Sequence, residues 1–479
     1  SRQVVEKDGT AIGSNISAGG SLIVYTGGIA HGVNQETGSA LVANTGAGTD
    51  IEGYNKLSHF TITGGEANYV VLENTGELTV VAKTSAKNTT IDAGGKLIVQ
   101  KEAKTDSTRL NNGGVLEVQD GGEAKHVEQQ SGGALIASTT SGTLIEGTNS
   151  YGDAFYIRNS EAKNVVLENA GSLTVVTGSR AVDTIINANG KMDVYGKDVG
   201  TVLNSAGTQT IYASATSDKA NIKGGKQTVY GLATEANIES GEQIVDGGST
   251  EKTHINGGTQ TVQNYGKAIN TDIVSGLQQI MANGTAEGSI INGGSQVVNE
   301  GGLAENSVLN DGGTLDVREK GSATGIQQSS QGALVATTRA TRVTGTRADG
   351  VAFSIEQGAA NNILLANGGV LTVESDTSSD KTQVNTGGRE IVKTKATATG
   401  TTLTGGEQIV EGVANETTIN DGGIQTVSAN GEAIKTTINE GGTLTVNDNG
   451  KATDIVQNSG AALQTSTANG IEISGTHQY

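Results

Sequence analysis

Cysteine and proline are both absent from the 479 residues, and aromatic residues make up only 3%. Without cysteine there is no disulfide framework and no thiolate metal site. Avoiding cysteine also suits a chain that must cross a membrane unfolded. The lack of proline excludes collagen and proline-rich linkers and lets a hydrogen-bond ladder run without a break. Hydrophobic residues reach 34%, thin for a globular core of this size yet too many and too regular for a disordered chain. No apolar run approaches the length of a membrane-spanning helix, and Ser1 opens on repeat-like sequence with no signal peptide. The chain therefore reads as an excised segment, truncated at both ends. Thirty-one basic and 50 acidic residues give a net charge of −19 with no basic stripe, which argues against nucleic acid and anionic lipid as partners.

Glycine is abundant, at 72 residues, and most of it belongs to one short unit. From about Ile211 to Val335 the unit reads approximately Ala-x-x-x-x-Ile-x-x-Gly-Gly-x-Gln-x-Val-x-x-x-Gly. One apolar position falls on Ile211, Val229, Val245, Val262, Ile280, Val298, Val317 and Val335, spaced 16 to 19 residues apart. A second falls on Ile222, Ile238, Ile255, Ile273, Ile291 and Leu309. A third is small: Ala268, Ala286, Ala304 and Ala323, then Ala414, Ala433 and Ala452. The unit is too short for a helical hairpin, and β-branched residues alternate with Thr, Gln and Asn, so it predicts short strands separated by glycine turns. Stacking the units in parallel places Ile on Ile, Val on Val and Ala on Ala. The predicted fold is all-β: a right-handed parallel β-helix with coils of roughly 16–19 residues, forming a single domain over 1–479. The hand follows the rule for parallel crossovers.

A longer period interrupts the short one. Blocks at about 40–74, 134–169 and 333–367 are copies of each other, and a partial copy occupies 462–479. Their inserts carry Phe60, Phe155 and Phe353, and two of the alternating stretches are preceded by turn-type steps, Gly152-Asp153 and Asp349-Gly350. Each block predicts a β-hairpin leaving the coil.

Units such as Thr417-Thr418-Ile419-Asn420-Asp421-Gly422-Gly423-Ile424-Gln425-Thr426-Val427, together with the block Gly345 to Ile355, resemble the passengers of self-associating autotransporters. That group includes the antigen-forty-three, AIDA-type and TibA-type adhesins, and the resemblance covers essentially the whole chain. It implies a passenger at the outer membrane of a Gram-negative bacterium, exported through a β-barrel translocator that is not in this chain. It also implies homotypic association, cell aggregation and biofilm formation, adhesion to host cells, and heptose on Ser and Thr placed by a heptosyltransferase.

Two features are candidate sites. Asp246, Asn264, Asn283, Asn299, Asn430 and Asn447 lie where the Val-ended strand turns, and stacked they would offer a polar row to an antiparallel second copy. The pairs beginning at Thr89, Thr401, Thr417 and Thr436 are candidate heptose acceptors. No catalytic, metal or cofactor constellation emerges. The five histidines lack ligand spacing, and acidic residues such as Asp120, Asp311, Asp421 and Glu440 repeat as turns rather than gathering in a cleft. The expected function is a non-enzymatic adhesin. The alternatives are a receptor ligand using the hairpins with Phe155 and Phe353, or a β-helix enzyme acting on carbohydrate.

Overall fold

The computed structural model describes residues 1–478, and among these there are strands and turns but no helix. Two compact units, Ser1–Ala236 and Asn237–Tyr479, are built on the same coil. The coil starting at Ser85 in the first unit shows the plan. A three-residue strand, Ser85–Lys87, forms a first face, and a two-residue strand, Thr90–Ile91, forms a second. After a glycine turn, the four-residue strand Lys96–Val99 forms a third. Each face stacks in parallel on the coils before and after it. Glu77–Val80, Lys96–Val99 and Val115–Val118 pair in register in the first unit, as do Arg389–Val392, Glu407–Val410 and Ile424–Val427 in the second.

Alternation decides what faces the bore. On the third face Leu97 and Val99 are fully buried while Lys96 and Ile98 point outward. The second face contributes one apolar side chain per coil, such as Ile91 and Ile255, and the first face a small one, such as Ala86 and Ala268, all at 0% exposure. The repeat columns read from the sequence are therefore the walls of the bore, with one correction. Val317 pairs with Ala336, not with Val335, because the step here is 19 residues, as it is from Val298 to Val317, and not 18. Val335 faces outward, and Ala336 takes the buried position.

In-register stacking brings corresponding residues to about 4.8 Å, which favours opposite charges on neighbouring coils. Lys87, Asp106 and Lys125 follow one another down the first face. Glycine is required where a positive φ coincides with close approach of the neighbouring coil. At Gly257 φ is +130°, and an added Cβ would stand 2.6 Å from the Glu239 carbonyl oxygen.

The three blocks carry the predicted hairpins. Asp50–Tyr54 pairs antiparallel with His59–Thr63, Leu144–Thr148 with Ala154–Arg158, and Arg342–Arg347 with Ala352–Glu356. A third antiparallel strand, such as Glu66–Asn68, then rejoins the first face. Meanwhile the third face skips the insert, and Ala40–Asn44 pairs directly with Glu77–Val80. The partial fourth block repeats the start of this pattern, with Glu472–His477 stacked on Lys451–Gln457; Tyr479 lies outside the described residues.

Phe60, Phe155 and Phe353 are 1%, 2% and 3% exposed. They are hairpin core, so they are not available as receptor contacts. The Phe353 ring lies where a Cβ on Gly345 would be, at 2.4 Å from Cζ, while at Gly53 and Gly147 the Val33 and Val127 carbonyl oxygens stand 2.1 Å from that place, so each position opposite a phenylalanine needs glycine. Where the hairpin interrupts second-face pairing, a buried glutamine takes over. Nε2 of Gln35 donates to the Val71 carbonyl, that of Gln129 to Val166 and that of Gln328 to Leu364, at 3.2, 3.0 and 3.0 Å.

Candidate adhesive surface and the polar bore beneath it

The six residues proposed for a polar edge share a turn but not a column. Asp246, Asn299 and Asn447 directly follow the buried Val of the third face, Asn264 stands one place later, and Asn283 and Asn430 one later again. Asn264, Asn283 and Asn430 have positive φ, 51°, 64° and 66°, so their first task is to hold a left-handed turn. Nδ2 of Asn264 does donate to Asp246, at 3.3 Å, but the other positions form no continuous row.

Short bonded rows exist elsewhere, directly after the second face. Nδ2 of Asn439 donates to Oδ1 of Asn420 at 2.9 Å, and Asn458 to Asn439 at 2.7 Å. Asn310 bonds Asn292 in the same way at 2.7 Å, and in the first unit Asn204 bonds Asn187 at 2.8 Å. Each amide is satisfied along the stack. The next residue in the turn, Asp311, Asp421 or Glu440, is left exposed. Sequence reasoning passed over these rows because the position was read as a variable part of Ile-x-x-Gly-Gly.

Thr89, Thr401, Thr417 and Thr436 are 1%, 1%, 1% and 0% exposed. This corrects their reading as sugar acceptors: a heptose has no room in the bore. Residue parity is the reason, since Ile419 and Ile438 point inward and the threonine two places earlier must do the same. The half-exposed hydroxyls belong to the following residues, Thr90, Thr402, Thr418 and Thr437.

Those buried threonines belong to an internal polar system. The Gln of each Gln-x-Val lies two places before the Val and so also faces inward. Gln260, Gln278 and Gln296 are 0% exposed. Nε2 of Gln278 donates to Oε1 of Gln260 at 2.9 Å, and Gln296 to Gln278 at 2.7 Å. Every amide in the series donates toward the N-terminus, so the first needs an acceptor that demands nothing back. A carboxylate fits that need. Gln209 donates to Asp198 at 2.8 Å in the first unit, and Gln408 to Glu390 at 2.8 Å in the second. Both acids are fully buried and face no cleft, so neither can reach a carbohydrate substrate.

Hydroxyls complete the system. Thr401 donates to Glu390 at 2.7 Å, Thr417 to Gln408 at 3.2 Å and Thr436 to Gln425 at 2.9 Å. Thr89, by contrast, sits among leucine coils and its Oγ1 has no partner. Thr436→Val is expected to destabilise the second unit by about 1–2 kcal/mol, because the Gln425 carbonyl loses its donor. Thr89→Val should stabilise the first by up to ~1 kcal/mol, because an unpaired hydroxyl disappears. Hydrogen exchange of the flanking strands distinguishes the two signs.

Outside, exposed aromatics gather on the first unit. Tyr54 and Tyr69 flank the first hairpin and Tyr151 caps the second. Tyr195 and Tyr212 stack with ring centroids 4.2 Å apart. The hydroxyl contact with Tyr195, then burial and the Asp193 charge, push the Tyr212 phenol up to about 12. Lys56 at the first hairpin tip clamps onto Glu73 and, at 2.6 Å, Asp92. That contact leaves the Asp92 carboxyl below its ordinary value even though burial is the largest influence on it and acts in the opposite direction. Among the described residues no group of three or more His, Asp or Glu side chains is placed to hold a metal ion.

Residues 52–114, 146–207, 344–406 and 408–461, just over half of the chain, match the family described as the adhesin of a bacterial autotransporter system, probable stalk. The chain is 99% identical over 479 residues to a probable autotransporter, YpjA, of Escherichia coli strain K12. It spans all of this chain but 31% of that relative. A solved fragment of TibA, hyper-glycosylated by TibC, is 29% identical, with 65% of this chain and 98% of that one covered and a TM-score of 0.35. The repeated coil with its hairpin blocks, matched in four segments, belongs to the stalk family of the bacterial autotransporter adhesins.

Proposed function

We propose that this chain is part of a passenger displayed on the surface of a Gram-negative bacterium and carried there by a β-barrel translocator outside this sequence. It acts without catalysis, by association with copies of itself, and so promotes cell aggregation and biofilm formation. The observation that supports this most is the turn after the second face. Over several successive coils it repeats an exposed acidic or polar residue beside hydrogen-bonded asparagines, so one weak contact recurs along those stretches. Many such contacts in register add up to avidity that no single one has, and a symmetric pair of copies uses the same patch twice.

Sedimentation velocity of the purified chain over a concentration series, at low and moderate salt, tests this. The expected result is a monomer passing to a dimer with a salt-dependent balance. Lysine at Asp311, Asp421 and Glu440 together is expected to change that balance at least tenfold. A chain that stays monomeric throughout sinks the reading.

A second reading, adhesion to a host ligand through the hairpin blocks, is favoured by a cleft of about 430 Å³ beside the second hairpin. It is lined by Ser107, Arg109, His126, Glu128 and Glu146 among others. Removing one insert while keeping the coils separates the two readings.

A further inference from the structure

Asp198 occupies the small inward position of the first face, where neighbouring coils carry Ala181 and Ser217. It is 0% exposed. Its carboxyl receives the Thr201 hydroxyl, Nε2 of Gln209 at 2.8 Å and the Ser217 hydroxyl at 3.0 Å. None of these carries charge. The basic groups on the surrounding strands, Lys197 on its own and Arg180 and Lys191 on those packed against it, stand on the outer surface, as do Asp193 and Asp218. Asp183 in the preceding turn adds only repulsion. A buried carboxyl with neutral donors and no cation is held in its ionised form at a cost.

The same surroundings can also accept the protonated acid. Once Asp198 carries a proton it can donate to Oγ1 of Thr201, and the Thr201 hydroxyl can turn to the Met192 sulfur, 3.9 Å away. Gln209 continues to donate to the other oxygen. Both protonation states therefore have a complete set of partners, and the neutral one avoids the burial of charge.

We propose that Asp198 is a proton-sensitive joint in the bore of the first unit: the coils around it bind a proton on closing, and are held more tightly in mild acid than at neutral or alkaline pH. Burial is the largest influence on this carboxyl and pushes it up to about 6 from its ordinary 3.8, while the bonds from Thr201, Gln209 and Ser217 pull it down. The sign follows from linkage. Between those two values the closed coil holds a proton that the open coil has lost, so raising the pH favours opening. The extra stability is complete below the open-state value and is gone once the pH has passed the closed-state value. This is opposite to ordinary acid denaturation, in which paired carboxylates lose stability as they are protonated. A surface protein with this joint keeps its coils closed in acidic surroundings.

The test is native-state hydrogen exchange of the strands Lys191–Val194, Lys197–Val199 and Thr208–Ile211, corrected for intrinsic exchange, at about pH 4 and about pH 8. In the whole chain the protection is expected to fall several tens of fold across that range. In Asp198→Asn the fall is expected to be absent at these strands, and protection at the higher pH to exceed that of the unsubstituted chain. Equal pH dependence in the two chains overturns the proposal, as does an Asn variant that folds but is less protected at high pH. Should the variant fail to fold, infrared spectroscopy of the unsubstituted chain decides. A buried carboxylic-acid carbonyl band that titrates near 6 supports the joint, and a carboxylate already ionised at about pH 5 refutes it.

Discussion

Replacing Gln408 by leucine is expected to loosen the coils around it in the second unit by about 3 kcal/mol or more. The change is well matched in shape, since Leu371 occupies the same column two coils earlier. Packing is therefore not the source of the loss. Gln408 stands at the centre of a chain of bonds: it donates to Glu390 at 2.8 Å and accepts from Gln425 at 2.8 Å and from Thr417 at 3.2 Å. Leucine deletes all three. Glu390 keeps Ser379 and Thr401 but, being fully buried, has no water to replace the third donor. A buried polar network with one member removed is worse than no network.

That last statement has its own test. Glu390→Leu, Gln408→Leu and Gln425→Leu combined should cost no more than Gln408→Leu alone, because the unpaired groups leave together. The hydroxyls left behind would resemble Thr89, which the protein already tolerates without a partner. Unfolding of a solenoid is not a single transition. The appropriate measurement is local hydrogen exchange at Arg389–Val392 and Glu407–Val410. A single variant with unchanged protection there removes the ladder as a source of stability.

Much of this architecture was legible in the repeat. Ile222, Ile255 and Ile291 were placed inside from spacing alone, and the Asp349-Gly350 step announced the turn of the third hairpin. The missed features share one cause. Gln in Gln-x-Val and the first Thr in Thr-Thr-Ile look like surface residues by type. The two-residue alternation of a strand nevertheless puts each on the face of the apolar residue two places on. Polarity was allowed to outweigh parity, so the internal ladder and its two acids went unseen. The polar edge failed for a different reason. The turn after the third face varies in length, so counting from the Val does not keep residues in one column, whereas Asn420, Asn439 and Asn458 are aligned by the strand just before them.

The hairpin phenylalanines give the second large expectation. Phe353→Ala should destabilise the third hairpin by about 3–5 kcal/mol, the usual cost of emptying a site this size. Phe353 alternates with Ile355 on one face of the strand Ala352–Glu356, and Ile355 is buried in the bore at 0% exposure. The ring therefore covers the opening that the hairpin makes, over Gly345 and the Ile326 backbone. Without it, exchange should quicken across Arg342–Arg347 and Ala352–Glu356. Val335 to Thr337 should stay protected, because on the third face they pair directly with Val370 to Thr372 past the insert. Tyr151→Ala on the second hairpin is the comparison. That ring is 56% exposed, and its loss should change stability by under about 0.5 kcal/mol. If adhesion fails in Tyr151→Ala with exchange unchanged, the hairpin surface is a contact. If Phe353→Ala loses adhesion with its hairpin still fully protected, the phenylalanine acts from the surface and its assignment to the core is wrong.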